Sequence, residues 1–313
     1  MSSPQVSVVV PVYQRAALVE QTVRSVLAQT LREWELIIAD DGSTDGTLAV
    51  CQRFAIADAR VRVIALPHSG NPALVRNAAL SEARGEFVAF LDSDDLWMPD
   101  KLERQLAQLR SNRACAWSYC GFEHIDANGV LLADGVAERW SPLDGDILAA
   151  TITGQAPIRT ASVVMAARTS LRQAGGFDEQ LISGQDYDLW MRLALHHPVA
   201  VLRARLAAVR VHPDSHSSRW PPRALECREL SLSKMAGVAG GEWQPLIAAQ
   251  RRRNAAALAV SYLAQGARAE MLASMRCNLG RCWRDPRWWA SSARTLWRSL
   301  RISEPMGGQP PGR

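Results

Sequence analysis

Four apolar, β-rich runs alternate with helix-periodic segments or polar turns through the first hundred residues. That alternation restricts the folds open to this chain more than any other feature. Val6 to Val12 reads Val-Ser-Val-Val-Val-Pro-Val, a β-branched run suited to a buried strand. Leu18 to Gln29 places Leu18, Val19, Val23, Val26 and Leu27 at helical spacing. Trp34 to Ala39 reads as a second strand, and the helix after it carries Leu48, Val50 and Cys51. Val61 to Ala65 is a third strand, Asn71 to Ala83 a helix and Phe87 to Leu91 a fourth strand. Strand and helix in turn predict a parallel, doubly wound sheet, in which ligands bind beyond the carboxyl ends of the strands.

The polar residues at those ends are therefore the candidates for chemistry. The fourth run drops directly into Asp92-Ser93-Asp94-Asp95. Buried charges need partners, so three carboxylates within four positions mark either a ligand site or an acidic turn that caps the next helix. Hard oxygen donors of this kind suit Mg²⁺ or Mn²⁺, ions that usually hold a phosphorylated substrate. Asp95 is read as the N-cap of a helix from Pro99 to Gln108. Two further strand ends carry Tyr13 with Arg15, and Asp40 with Asp41. Asp40 and Asp41 precede Gly42, so an Asx-turn and a ligand contact are both open to them.

The middle of the chain is less regular. Ala114 to Tyr119 and Ala161 to Ala166 read as strands, Gly175 to Asp178 as a turn and Gly184 to His196 as a helix. Asp188 and Arg192 are four apart, a helix-face ion pair, while Leu189, Trp190 and Leu193 read as core. Trp220-Pro221-Pro222 looks like a connector. Beyond it lie Ala- and Arg-rich helical stretches: Ala224 to Ala236, Pro245 to Ala264, Arg268 to Asn278 and Pro286 to Leu300. The expected organisation is a domain over 1–218, a basic Arg/Trp-rich helical extension over 219–303 and a disordered Gly/Pro-rich tail over 304–313.

Charge divides at the same place. Residues 219–301 hold fifteen basic and five acidic residues, whereas 1–218 hold twenty and twenty-five. Near the end, Trp289, Ala293, Leu296, Trp297 and Leu300 share one helical face, and Arg287, Arg294, Arg298 and Arg301 the other. Such a helix lies on a membrane surface through 280–301 or packs its Trp face on the preceding domain; both readings stay open. No recognisable RNA module accompanies the basic residues, so nucleic acid is not an expected partner. The six cysteines, Cys51, Cys115, Cys120, Cys227, Cys277 and Cys282, show no CxxC spacing. That argues against a zinc site or a disulfide framework and for reduced thiols in a cytosol. No signal peptide or membrane-spanning run is read, which predicts a cytoplasmic protein, peripheral on the inner membrane face if the tail binds lipid.

Several blocks, taken together, resemble a known family. They are Val6-Ser7-Val8-Val9-Val10-Pro11-Val12-Tyr13, then Leu36-Ile37-Ile38-Ala39-Asp40-Asp41-Gly42-Ser43-Thr44-Asp45, then Arg76-Asn77-Ala78-Ala79. Asp92-Ser93-Asp94 with Trp97-Met98-Pro99-Asp100 follows, then Gly176-Phe177-Asp178-Glu179 and Gln185-Asp186-Tyr187-Asp188-Leu189-Trp190-Met191-Arg192. Their order and spacing over residues 5–215 resemble glycosyltransferase family 2, the inverting GT-A enzymes. The resemblance implies an α/β, Rossmann-like GT-A fold with a mostly parallel sheet and flanking helices, to which the residues beyond about 220 add a C-terminal helical extension.

It also implies roles. Asp92 and Asp94 match the DxD motif, with Asp94 the main metal ligand and Asp92 near both ribose and metal. Pro11 and Tyr13 match the nucleotide pocket wall, Tyr13 stacking on the base, and Asp41 the position that hydrogen-bonds uracil. Arg15 lies on the same pocket edge, and Arg76, at an ARN-like position, suits a phosphate, although a helix arginine is also commonly solvated or ion-paired. Asp186 matches the base that removes the acceptor hydroxyl's proton. Gln185 departs from the glutamate usual beside it. His212, in an R-x-H segment followed by serines, matches a residue that closes over the diphosphate and can ligate Mn²⁺. The expected activity is a Mn²⁺- or Mg²⁺-dependent transfer of sugar from a nucleotide sugar, UDP-linked, to a glycan or lipid-linked acceptor. A catalytically degenerate nucleotide-sugar binder or scaffold is the alternative. A nucleotidyltransferase would want a Gly-rich basic loop, and a dehydrogenase GxGxxG, where this chain has Pro11-Val12-Tyr13-Gln14-Arg15.

Overall fold

The computed structural model describes residues 3–133, 139–211, 221–267 and 269–271. The chain divides into two units, Met1–His216 and Ser217–Arg313.

In the first unit the β-branched runs become the centre of one sheet. Strand β1 (Val6–Val12) and β2 (Trp34–Asp40) are buried along almost their whole length, as expected of strands covered on both faces. With β3 (Val61–Ala65) and β4 (Phe87–Phe90) they form a parallel ladder in the order β3-β2-β1-β4. The chain runs outward from β1 to β3 and returns to β4 on β1's other side. This reversal opens a crevice at the carboxyl ends of β1 and β4. The connecting helices are α1 (Val19–Leu27), α2 (Thr47–Ala57) and α3 (Pro72–Ser81). Helix α3 starts where its sequence dictates: Asn71 Oδ1 accepts the Ala73 N–H at 3.0 Å, and Pro72, which has no N–H to satisfy, follows.

The sheet's second half is mixed. Two-residue β5 (Leu96–Trp97) and α4 (Lys101–Ser111) precede β6 (Trp117–Ile125), and α5 (Leu148–Thr153) follows it. Then come β7 (Val164–Ala167), α6 (Arg168–Gln173), α7 (Gln185–His196) and β8 (Val199–Arg210). The full order is β3-β2-β1-β4-β7-β6-β8-β5, with β7 antiparallel to β4 and β6, β6 parallel to β8, and β5 antiparallel to β8. The doubly wound reading thus describes β1 to β4, while the remaining strands add antiparallel neighbours. The antiparallel run of β7 matters for function: the residues entering it, Thr160 to Val163, lie at the carboxyl end of β4. Strand β8 was not legible in the sequence, because Arg203 and Arg205 interrupt its apolar run at exposed positions.

In the second unit, α8 (Pro221–Val238) and α9 (Gln244–Ala264) pack on each other through a 3-10 turn at Gly241–Trp243. Leu232, Met235, Ile247 and Leu258 are buried, Asn254 Nδ2 donates to Leu225 O at 2.8 Å, and Arg251 pairs with Glu229 at 2.7 Å. No helix among the described residues is long and apolar enough to cross a membrane. The basic Trp-rich segment 280–301 and the tail over 304–313 lie outside the described residues, as does His212.

Candidate active site

The acidic loop after β4 is held by its backbone, which leaves two side chains facing the crevice. Asp95 N–H bonds Asp92 O at 3.1 Å, Thr22 Oγ1 of α1 donates to the carbonyls of Ser93 and Asp95 at 3.0 Å, and Arg210 Nε donates to Asp94 O at 2.9 Å. Asp92 and Asp94 remain 31% and 20% exposed at their side chains. Asp92 Oδ1 accepts from Arg76 Nη2 at 2.6 Å, and its Oδ2 from Thr160 Oγ1 at 3.1 Å. Asp94 Oδ2 lies 3.6 Å from Arg15 Nε. Two accessible carboxylates suit Mg²⁺ or Mn²⁺, which are commonly held by one or two carboxylates together with substrate phosphates. Among the described residues no group of three or more His, Cys, Asp or Glu could hold a metal by itself.

Asp95 does not cap a helix. Strand β5 intervenes, α4 begins only after Asp100, and Asp95 is 3% exposed. Its carboxylate accepts the Arg210 N–H at 2.9 Å and the Ser162 hydroxyl at 2.6 Å. Burial, and then the charges of Asp92 and Asp94, push its pKa well above the usual carboxylate range. Ser162 Oγ also accepts the Asp92 N–H at 3.0 Å. Thr160, Ser162 and Arg210 therefore fix the acidic loop. The sequence reading missed them because their partners are 65 or more residues away in the chain.

At the ends of β1 and β2, two loops are stitched together. Pro11 pairs with Ala39 in the ladder, half-buried at the crevice end of β1. The turn after it passes through Gln14 at φ 51°, a left-handed position for a residue other than glycine. Ser43, Thr44, Asp45 and Thr47 hold that turn: Gln14 N–H bonds Ser43 Oγ at 3.0 Å and Arg15 N–H bonds Thr47 Oγ1 at 2.8 Å. Asp40 makes the turn that was one of the two readings open to it, accepting the Ser43 N–H at 2.9 Å, while its Oδ1 is buried without a hydrogen-bond partner among the described residues. Asp41 turns to the loop after β3. Its oxygens accept from Ser69 N–H and Oγ–H at 2.8 Å and from Gly70 N–H at 2.9 Å, and His68 Nδ1 lies 3.1 Å away. Gly42 permits this approach, since a Cβ there would meet the His68 backbone nitrogen at 2.7 Å with φ at +71°. Tyr13 is 41% exposed and stacks on His68.

The third wall comes from α3 and α7. Asn77 receives the Phe177 N–H at 2.9 Å and donates to Phe177 O at 2.8 Å, so the Gly176-Phe177-Asp178-Glu179 turn docks on α3. Arg76, buried on the same helix, lies 5.5 Å over the Phe177 ring. Gly184 at φ 67° opens α7, and Gln185 and Asp186 occupy its first turn. Asp186 Oδ1 accepts the Tyr187 N–H at 2.8 Å. Its pKa is raised: desolvation dominates and Asp92 adds to it, while Arg76 opposes them. Asp186, Arg76 and Asp92 are thus electrostatic neighbours. Asp188 pairs with Arg192 at 2.7 Å, and Leu189, Trp190 and Leu193 are buried, as their spacing predicts.

The crevice brings Pro11, Tyr13, Arg15, Asp41, Arg76, Asp92, Asp94 and Asp186 to the carboxyl side of one sheet. Known proteins resemble this chain in sequence and fold. TuaG of Bacillus subtilis, named for teichuronic acid biosynthesis, is 42% identical over 151 residues, which is 48% of this chain and 60% of TuaG. WfgD of Escherichia coli, a UDP-Glc:alpha-D-GlcNAc-diphosphoundecaprenol beta-1,3-glucosyltransferase, is 36% identical over 126 residues, 40% of this chain and 49% of WfgD. The matches therefore span less than two thirds of either relative. S. aureus TarS 1-349 in complex with UDP-GlcNAc superposes with a TM-score of 0.62 at 20% identity, covering 87% of this chain and 89% of that one. That likeness gives the α/β GT-A fold. The blocks that run from β1 to the glycine turn before Phe177 lie where the family model "Glycosyl transferase family 2" matches, over residues 7–175, and the chain belongs to that family.

Proposed function

We propose that the chain is an inverting, metal-dependent hexosyltransferase. It moves a sugar from UDP to a hydroxyl of a glycan or lipid-linked acceptor in bacterial cell-surface polysaccharide synthesis. The observation that carries this reading is the meeting of Asp92, Arg76 and Asp186, contributed by β4's end, α3 and α7. A leaving diphosphate and an attacking hydroxyl need a cationic clamp and a carboxylate base on one crevice, and this trio supplies both. The names of WfgD and TuaG support UDP as the nucleotide and a surface polymer as the product.

In this reading Tyr13 and Pro11 bound the nucleobase, and Asp41 holds the loop beside it. Arg76, and Arg15 at the crevice edge, attract the diphosphate through guanidinium groups that match phosphate geometry. Asp94 and Asp92 are the side chains that would hold Mg²⁺ or Mn²⁺, whose chemistry is Lewis-acid stabilisation of the departing diphosphate. Asp186 accepts the proton of the acceptor hydroxyl as it attacks the anomeric carbon. A single displacement needs no enzyme nucleophile and inverts the stereochemistry. Its raised pKa makes it a stronger base than an ordinary carboxylate. Gln185, buried beside it, is no competing proton acceptor, and Asp188 in the same turn is paired with Arg192, so the base role falls on Asp186.

The test is a panel of UDP-, GDP- and dTDP-sugars incubated with the protein and Mn²⁺, with a mixture of glycan and polyprenyl-diphosphate acceptors. Release of UDP from one donor, abolished by EDTA and by Asp94→Ala, is the expected result. Release that persists in EDTA would remove the metal from the mechanism, and absence of both release and UDP binding would remove the transferase.

A further inference from the structure

The two carboxylates that face the crevice are each beside an arginine, but the two pairs differ. Arg76 is buried, and its Nη2 donates to Asp92 at 2.6 Å, the short distance of a charge-assisted hydrogen bond. Arg15 is looser. Its Nε stands 3.6 Å from Asp94 Oδ2, beyond hydrogen-bond reach, with the two side chains 25% and 20% exposed. The Arg15 backbone is anchored at Thr47 Oγ1, 2.8 Å away, and among the described residues its Nη1 donates to the neighbouring Gln14 carbonyl at 3.1 Å. The guanidinium can therefore turn about a fixed backbone and loses little by leaving Asp94. Arg76 cannot do the same without stranding a buried charge.

We propose that Arg15 is a stand-in cation. It neutralises Asp94 while nucleotide is absent and transfers to the diphosphate when nucleotide arrives, so the divalent ion enters with the nucleotide and is not resident. The inference rests on the reading of the crevice as a nucleotide–metal site and adds to it the order in which that site fills. A positive guanidinium beside Asp94 repels a second cation. A nucleoside diphosphate carries enough negative charge to engage the guanidinium, draw its charge away from Asp94 and contribute phosphate oxygens to the ion. Each ligand then favours the other by the same factor, as linkage requires.

The experiment is a set of calorimetric titrations on the full chain: Mn²⁺ alone, UDP alone in EDTA, and Mn²⁺ in saturating UDP. These are repeated for Arg15→Gln and Arg15→Lys. Wild type should bind Mn²⁺ alone at least tenfold more weakly than with UDP, within the usual range of coupling between sites. Arg15→Gln should tighten binding of Mn²⁺ alone by roughly tenfold and weaken UDP in EDTA, collapsing the coupling. Arg15→Lys, which keeps the charge, should leave Mn²⁺ alone weakly bound. If Arg15→Gln binds UDP but leaves the affinity for Mn²⁺ alone unchanged or lower, the stand-in role is wrong and the nucleotide site survives. If wild type binds no UDP, the nucleotide reading fails and this inference fails with it.

Discussion

The rings of Tyr13 and His68 are stacked, with centroids 4.2 Å apart and planes 18° from parallel. His68 also reaches the Asp41 carboxylate at 3.1 Å. Ser69 and Gly70 fill the remaining acceptor positions on Asp41, so the uracil contact implied by the family resemblance requires one of these donors to leave. His68, whose side chain is 49% exposed, is the one that can. Its ring covers one face of Tyr13, so a base stacking on that face would displace it. His68→Ala is therefore expected to bind UDP several-fold more tightly in calorimetry. Tyr13→Ala should bind it about tenfold more weakly, in line with the cost of losing one base–aromatic stack. Weaker UDP binding by His68→Ala would instead make the imidazole a wall of the base pocket.

In the proposed mechanism Asp186 separates binding from turnover. Asp186→Asn keeps the shape of the first turn of α7 but removes the proton acceptor. Its turnover should fall by about a hundredfold or more, the usual scale of general-base catalysis, with UDP affinity unchanged within a few-fold. Because the folded-state pKa is raised above 3.8, the carboxylate is lost as pH falls through that raised value, and activity falls with it. The same shift contributes stability that is present below the unfolded pKa and lost as pH rises through the folded one. Acid should thus silence the enzyme while this group's contribution to stability is fully present. A pH–rate profile whose acid limb is the same for wild type and for the residual activity of the variant would assign the base elsewhere.

The legible part of this molecule is the part written in local pattern. Val6–Val12 falls where its apolar run placed it, because a strand buried on both faces is a continuous apolar run. Asp92 and Asp94 stood out because charge at the end of such a run is costly without a purpose. Distance in sequence hid the rest. Thr160 and Ser162 are unremarkable polar residues until antiparallel β7 carries them to the end of β4. Asp95 looked like a helix cap because β5 is only two residues long and has no pattern to read. Its actual partner, the Arg210 backbone, is 115 residues downstream.

That placement makes Asp95 a test of the loop's support. Asp95→Ala leaves the Arg210 N–H and the Ser162 hydroxyl without an acceptor in a buried site. Each such group costs about 1–3 kcal/mol, so denaturant unfolding should show a loss of about 2–6 kcal/mol. Asp95→Asn keeps an acceptor oxygen and matches the neutral form that burial and its acidic neighbours favour, so it should cost less than about 1 kcal/mol. The raised pKa means that this carboxyl's contribution to stability is present below its unfolded pKa and declines as pH rises through the folded value. In Asp95→Asn that decline should be missing. Equal destabilisation by the two variants would argue that the carboxyl acts through its charge.

Lys101 carries the clearest linkage between pH and stability. It is fully buried in the first turn of α4, its Nζ 4.0 Å from the Trp97 ring centroid and 2.6 Å from Gln105 Oε1. Desolvation lowers its pKa from 10.5 to about 8. Between those values the unfolded chain holds a proton that the folded chain does not, so stability rises with pH across that window. The rise amounts to roughly 3 kcal/mol at about 1.4 kcal/mol per pH unit. Below pH 8 the same amount is a standing penalty, offset by the cation–π contact and the hydrogen bond. Lys101→Met keeps most of the volume and removes the buried charge, at the cost of leaving Gln105 Oε1 unpaired. It should fall within about 1–2 kcal/mol of wild type at pH 7 and show no contribution from this position between pH 8 and 10.5. Urea unfolding of both proteins at pH 7, 8, 9 and 10 gives the comparison. Parallel curves for wild type and variant would mean that the ammonium is hydrated in the folded protein and that its burial carries no penalty.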